Sequence, residues 1–482
     1  MSSVAPGESS QALREDLPGE VATEAQGPQV EPRVPVARAE ERLHGEQGTD
    51  LLERMLERAN ILAALRRVEG NRGAAGVDGM EVGELRDHLR THWAQIREQL
   101  REGSYRPSPV RRVEIGKPDG GVRELGIPTV LDRLIQQGLL QVLTPIFEPE
   151  FSEASYGFRP GRSAHQAVRR AEAFVVEGYG FVVDLDIEKF FDRVNHDILM
   201  ARVAKRVGDK RVLKLIRAYL SAGVLLNGVV VASEERTPQG GPISPLLANV
   251  LLDDLDKELE RRGHRFVRYA DDCNVYVKSE RAGQRVMETV VGFLEEKLKL
   301  KVNRAKSGVA RPKLRKFLGF RLFRDKAGVR IGLAPKTVER VKAAIRELTR
   351  ASRGGWSMEE RIRRLRARLV GWVGYYALAD TGSVFKELDE WTRRRLRMVY
   401  RRQWKRGRTR RRNLRALGMP EWMGRMIGSG KGPWRNAGSP PMQAVLTKAY
   451  WAKAGLVSLE AEYRKIRNER RTAGCGPACP VV

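Results

Sequence analysis

Cysteine is nearly missing from this chain: there are 3 in 482 residues, Cys273, Cys475 and Cys479. That excludes a disulfide-held scaffold and fits a reducing cytosol. Cys475 and Cys479 have the spacing of half a zinc site, but no second Cys or His pair lies near them to complete four ligands, so they are read as bland. Long apolar runs are missing too. The longest, from Gly223 to Val231, is interrupted by Asn227 and Gly228, which excludes a membrane-spanning helix and predicts a soluble protein. The first residues lack the basic segment and apolar core of a secretory signal, and Glu8, Glu15 and Asp16 argue against a transit peptide. Residues 1–48 are rich in Ser, Pro, Gly, Glu and Gln without a periodic apolar face, a composition that predicts a disordered tail.

Acidic residues vanish from one stretch. Between Trp391 and Pro420 there is no Asp or Glu, while Arg393, Arg394, Arg395, Arg397, Arg401, Arg402, Lys405, Arg406, Arg408, Arg410, Arg411 and Arg412 crowd together. Over the whole chain Lys+Arg number 89 against 60 Asp+Glu, a net charge of +29. Such a field draws in a polyanion by counterion release, so nucleic acid is the expected partner. A basic run is often only a solvated face. Here Trp391, Tyr400 and Trp404 interleave with the arginines, setting guanidinium groups for phosphates beside rings that stack on bases or pack a core.

The length predicts two or three domains. From Leu51 apolar residues recur at helical spacing (Leu52, Met55, Leu62, Leu65) until Gly70, Gly73, Gly76 and Gly79 break the pattern. A second helix is predicted over 82–100, and a hairpin over 105–128 turning at Asp119-Gly120-Gly121. Helix is also expected over 201–219. After Pro335 strands stop, and three helices are predicted near 335–350, 358–376 and 383–404, with Val341, Ile345 and Leu348 on the apolar stripe of the first.

Two acidic segments carry the chemistry. Tyr269-Ala270-Asp271-Asp272 lies between apolar runs 265–268 and 273–277, which puts adjacent carboxylates in a tight turn of a β-hairpin. Aspartate at a turn is commonplace, because its side chain bonds its own backbone neighbours. Upstream, however, the strand 181–187 has Asp184 and Asp186 on one face by period-2 alternation. Two acids in an otherwise apolar strand are unfavourable unless metal or water satisfies them. Cys273, next to the pair, is read as a small buried filler.

Phe181 to Asp192, Thr237-Pro238-Gln239-Gly240-Gly241-Pro242-Ile243-Ser244-Pro245-Leu246-Leu247 and Tyr269 to Asp272 resemble, in order, the palm motifs of a reverse transcriptase. Lys117-Pro118-Asp119-Gly120-Gly121-Val122-Arg123, Leu125 to Pro128 and Tyr156-Gly157-Phe158-Arg159-Pro160-Gly161-Arg162-Ser163 resemble the finger motifs of group II intron reverse transcriptase/maturases. Gly371 to Tyr376 and Gln403-Trp404-Lys405 resemble the thumb, or X domain, of the same family. The likeness covers roughly residues 51–460.

The resemblance implies an α+β right-hand polymerase fold, fingers and palm with antiparallel sheet, followed by an α-helical thumb. Its expected boundaries are a tail to residue 48, fingers and palm over 49–333, thumb over 334–420 and a basic extension over 421–482. It implies an RNA-directed DNA polymerase using two Mg²⁺, held by Asp186 and Asp271 with the Ile187 carbonyl, Asp272 being secondary. Asp184 and Glu188 are neighbours. Lys306 matches a lysine that protonates pyrophosphate, Lys117 and Arg123 would meet the dNTP triphosphate, and Phe191 would lie under its sugar. Gln239 and the following glycines would lie against the base pair, and Phe317-Leu318-Gly319-Phe320 resembles the primer grip. Phe190 is read as core. The implied partners are group II intron RNA, an RNA template with DNA primer, dNTPs and target DNA, in the bacterial cytosol or nucleoid. Residues 434–482 carry no His-Asn-His pattern, which implies a type without endonuclease that primes from nicked or single-stranded DNA. Two other classes keep part of this pattern: a reverse transcriptase of a defence or diversity-generating element, and a non-enzymatic RNA-binding splicing factor.

Overall fold

The computed structural model describes residues 50–116, 122–226, 229–231, 240–350, 355–427 and 432–473. Lys117, Gln239, Cys475, Cys479 and residues 1–48 lie outside the described residues, as does the side chain of Arg123.

The first apolar stretch forms two helices rather than one, α1 (Leu51–Leu56) and α2 (Arg58–Asn71). Glu57 between them takes an extended ψ of 135°, which lets Leu51, Leu52 and Met55 enter one core while Ala64, Leu65 and Val68 enter another. α2 stops on Arg72 in the left-handed region, φ 45°, and not on a glycine. Helix α3 (Leu85–Glu102) follows. The hairpin of β1 (Val110–Gly116) and β2 (Val122–Ile127) is antiparallel as its alternation predicts. Next come α4 (Val130–Phe147), α5 (Ala164–Val176) and β3 (Phe181–Leu185). Instead of one helix over 201–219 there are two, α6 (His196–Ala204) and α7 (Lys210–Ser221). Asp209 causes the break: its carboxylate caps α7 by accepting from Arg211 N at 2.9 Å and also accepts from Leu52 N at 3.0 Å.

Short strands β4 (Val224–Leu226) and β5 (Val229–Val231) extend the first hairpin into a sheet of order β2-β1-β4-β5. After α8 (Ser244–Arg261) come β6 (Arg265–Tyr269), β7 (Asp272–Val277), α9 (Glu280–Glu296) and β8 (Gly308–Ala310). They build the central antiparallel sheet, order β6-β7-β3-β8. A separate hairpin, β9 (Phe320–Asp325) with β10 (Gly328–Leu333), precedes the helical part. Among the described residues no strand follows it. Helices α10 (Pro335–Leu348), α11 (Met358–Tyr376) and α12 (Gly382–Gln403) stand within a few residues of their predicted spans. Then come α13 (Gly407–Ala416), α14 (Pro433–Asn436), α15 (Pro440–Val445), α16 (Lys448–Lys453) and α17 (Leu459–Ala473).

The central sheet divides two cores by its pleat. Val183, Leu185, Cys273 and Val275 face the first core, shared with Leu139 of α4, Leu251 of α8 and Val290 of α9. Val182 and Tyr276 face the second. That second core continues through Phe320, Val341, Leu365 and Phe385 to Leu459, so α10 to α13, α15 to α17 and the back of the sheet share buried apolar surface. Among the described residues no helix is long and apolar enough to cross a membrane.

Candidate active site

The register of β3 against β7 brings the two acidic segments together. Phe181 pairs with Val277, Asp184 with Asn274 and Leu185 with Cys273; the next step along this ladder sets Asp186 across from Asp272. Paired residues share a face of the sheet. The face that begins with buried Val182 and Tyr276 therefore ends in Asp184, Asn274, Asp186 and Asp272, with Asp271 in the turn beyond. In the hairpin of β6 and β7, Tyr269 pairs with Asp272, leaving Ala270 and Asp271 as the two-residue loop. Ala270 has φ 57°, a left-handed conformation that alanine rarely adopts.

Both turn aspartates are exposed. Yet the Asp272 carboxyl is pushed up to about 7, by burial first and then by the charges of Asp271, Asp184 and Asp186. Water at the tip with protein on most other sides is the surrounding of a cleft floor. Asp184 is pushed up to about 6 by burial and by Asp186, while Arg315 acts in the opposite direction. Arg315 Nη1 stands 3.6 Å from Asp184 Oδ2, and Asn274, with its amide nitrogen turned towards β3, donates to Asp184 Oδ1 at 3.0 Å.

Asp186 lies just past the end of β3 and is held by the segment before β8. Its N–H donates to Ser307 Oγ at 3.0 Å, and its carbonyl accepts from Asn303 N at 2.8 Å. Ile187, buried, bridges to Val302. The same segment places Lys306 Nζ 3.6 Å from Asp186 Oδ2, with the lysine side chain mostly exposed. The sequence singled out Lys306 but missed Asn303, Ser307 and Arg315 as the groups that hold the acidic strand. Asn303 and Ser307 belong to the segment quoted for Lys306, so their signal was within reach; Arg315 had none. Phe190 is core, as read; Phe191 is partly buried, its ring 5.1 Å from that of Phe190. Cys273 is buried and burial pushes its thiol up, so it is the inert filler expected.

The basic stretch divides. Arg397 bonds the carbonyls of Ala437 and Leu446, and burial together with Arg393 and Arg394 lowers its guanidinium to about 10. Arg395 donates to Thr349 Oγ1, Arg394 stacks on Trp434 at 4.4 Å, and Arg410 is buried. These hold the helices together. Arg402, Lys405, Arg406, Arg408, Arg411 and Arg412 are exposed. The interleaved rings are packed: Tyr400 stacks on Trp404 at 4.8 Å and on Trp451 at 5.8 Å, and Trp391 lies against Arg346 and Arg395.

An antiparallel sheet offering carboxylates at a hairpin turn and at the end of the adjacent strand, with helices packed on both of its faces, defines a polymerase-type fold. Residues 115–322 match the reverse transcriptase (RNA-dependent DNA polymerase) family, and residues 338–418 match the group II intron maturase-specific domain. Protein YkfC of Escherichia coli (strain K12) is 33% identical over 320 residues, 57% of this chain and 84% of that protein. Group II intron-encoded protein LtrA of Lactococcus lactis subsp. cremoris is 40% identical over 164 residues, 34% of this chain and 27% of LtrA; the chain thus matches about a quarter of that relative's length. Among solved structures, a partial Cas6-RT-Cas1–Cas2 complex is similar at 26% identity over 52% of this chain and 43% of that one, with a TM-score of 0.35. The chain belongs to the family of group II intron reverse transcriptase/maturases, RNA-directed DNA polymerases with a maturase role.

Proposed function

We propose that this chain extends a DNA primer on an RNA template at the Asp186/Asp271 cleft and grips folded intron RNA through the exposed arginines that follow α12. In this reading residues 49–333 are fingers and palm, 334–420 the thumb and 421–482 a basic extension. The observation that carries the reading is the β3–β7 register, which gathers Asp184, Asp186, Asp271 and Asp272 at the open end of one sheet face.

The donor set is all carboxylate oxygen, which suits a hard divalent cation. Among the described residues no three or more His, Cys, Asp or Glu side chains form a ready-made cage. That is the pattern expected for Mg²⁺, which keeps several waters and is bound through one or two carboxylates together with substrate phosphates. Asp186 and Asp271 would hold the pair of ions with the Ile187 carbonyl, and Asp272 would add charge beside them. When bound, Mg²⁺ lowers the pKa of the primer 3′-hydroxyl and offsets charge on the departing pyrophosphate. The primer 3′-hydroxyl gives up its proton to water as its oxygen bonds to the α-phosphorus and the bond to pyrophosphate breaks, and Lys306 Nζ would donate a proton to that leaving group. Phe191 would lie under the sugar of the dNTP, while Lys117 and Arg123 are assigned to its triphosphate and Gln239 to the new base pair by resemblance alone. Intron RNA is both partner and template, target DNA supplies the primer, and the cytosol is the site of action.

Asp271→Asn removes a ligating charge at nearly constant size. DNA synthesis on an RNA template should fall by orders of magnitude while RNA binding persists, because binding rests on cationic surface elsewhere. Retained synthesis would remove Asp271 from the site; loss of both activities would defeat the reading of two separate surfaces.

A further inference from the structure

Behind the Ala270–Asp271 turn lies a buried polar cluster that the chemistry above does not use. Arg268, on β6, is fully buried and pairs with equally buried Asp256 of α8, Nε to Oδ1 at 2.7 Å and Nη2 to Oδ2 at 2.5 Å. Its third nitrogen, Nη1, donates to the carbonyl of Ala270 at 2.9 Å and to Asn249 Oδ1 at 2.9 Å. Asn249, 1% exposed, donates in turn to the Gly157 carbonyl at 2.8 Å. Gly157 is pressed onto the turn from outside: a Cβ there would lie 2.2 Å from Ala270 N. The stretch 154–157 is stapled alongside by Arg268 N to Ala154 O and Tyr156 N to Arg268 O, both 2.9 Å.

Three segments distant in sequence thus meet on one peptide, the strained Ala270. A left-handed alanine persists only where its surroundings over-determine it. A buried ion pair is a poor source of net stability but a strong geometric constraint, since a planar guanidinium fixes the direction of every bond it makes. We infer that Arg268, Asn249 and Gly157 are positioning residues for nucleotidyl transfer: they clamp the Ala270 peptide and so fix where Asp271 and Asp272 stand relative to Asp186. This rests on the assignment of Asp186 and Asp271 as the metal-holding pair.

The test uses the full chain, with Asn249→Ala to unlink the clamp and Asp271→Asn as reference. Binding of Mn²⁺ alone is followed by the electron paramagnetic resonance signal of the free ion, and amide hydrogen exchange is read over 265–277. Asn249→Ala should weaken Mn²⁺ binding roughly ten-fold, as loss of outer supports does at metal sites, and speed exchange in the turn, with melting temperature and RNA binding as in the parent. Parent-like Mn²⁺ affinity and exchange would overturn the inference. If Asn249→Ala melts early, Gly157→Ala decides, since its added methyl must displace the turn backbone directly; unchanged Mn²⁺ affinity there overturns it equally. Asp271→Asn that still synthesises DNA would instead bring down the site assignment, and this inference with it.

Discussion

Gly319 is the position where one added methyl should have the most informative cost. It sits in the two-residue turn between Phe317 and Phe320, whose N–H and carbonyl groups exchange bonds at 2.9 Å in both directions. Leu318 and Gly319 both have positive φ, 51° and 86°. The Gly319 carbonyl accepts from Thr337 Oγ1 at 2.8 Å, and Tyr375 Oη donates to the Leu318 carbonyl at 3.1 Å, so the turn ties the sheet region to α10 and α11. A Cβ at 319 would lie 2.5 Å from Tyr376 Oη and 2.9 Å from its Cε1. Left-handed backbone costs alanine about 1 kcal/mol over glycine, and overpacking a site this tight adds about 1–3 kcal/mol. Gly319→Ala should therefore cost about 2–4 kcal/mol in the parent, but only about 1 kcal/mol in a Tyr376→Leu background, where the clashing atoms are gone. Urea unfolding of the four proteins, followed by tryptophan fluorescence, gives the coupling directly. Additive costs, within about 0.5 kcal/mol, would refute the close approach of Tyr376 to Gly319 and leave only the backbone term. Primer extension should weaken in Gly319→Ala and recover in part in the double variant.

The remaining predictions concern charge. Replacing Arg402, Lys405, Arg406 and Arg408 with Ala should flatten the dependence of RNA affinity on salt by roughly one log–log unit for each phosphate no longer neutralised, with melting unchanged because all four are exposed; an unchanged slope, read by filter binding, would exclude this surface. The Asp184 carboxyl, raised from 3.8 to about 6, is protonated in folded and unfolded chains below pH 4, ionised only in the unfolded chain between the two values, and ionised in both above pH 6. Its contribution thus falls with rising pH, to a deficit of at most about 3 kcal/mol. Asp184→Asn should raise the melting temperature in EDTA at pH 8 and leave it unchanged at pH 4; a gain of equal size at both values would contradict the assignment.

How much of this could be read from the sequence depended on the range of the signal. The strand 181–185, the hairpin around Asp271 and helices α10 to α12 follow from apolar periodicity, a local property, and their bounds came out within a few residues. The breaks at Glu57 and Asp209 did not, because each is set by a partner far along the chain: α1 and α2 serve different cores, and the Asp209 carboxylate reaches Leu52 N. The basic stretch misled in the same way. Charge alone does not reveal that Arg394, Arg395 and Arg397 are turned inward to a ring, a hydroxyl and carbonyls, or that Arg410 is buried. For the acidic site, the sequence pointed to the carboxylates that the β3–β7 register gathers but not to what holds them, since the contacts of Arg315, Ser307 and Asn249 exist only once the register is set.

The placement of cations around the acidic floor follows one electrostatic logic. Crowding four carboxylates at the end of a sheet is unfavourable, and the simplest remedy, a guanidinium pointed into the cluster, would occupy the place that the proposed function gives to a divalent ion. The chain answers at the edges instead. Arg315 meets Asp184, the acid furthest from the turn, and Lys306 reaches Asp186 on a long, mostly exposed stem that substrate can displace. Arg268 is closest of all in sequence to the turn, yet its charge is spent on Asp256, and only one N–H reaches forward, to a carbonyl rather than a carboxylate. Rigid support without neutralisation is what a site must have if its net negative charge is to bind a divalent cation, and a buried, fully paired arginine behind the turn supplies both conditions at once.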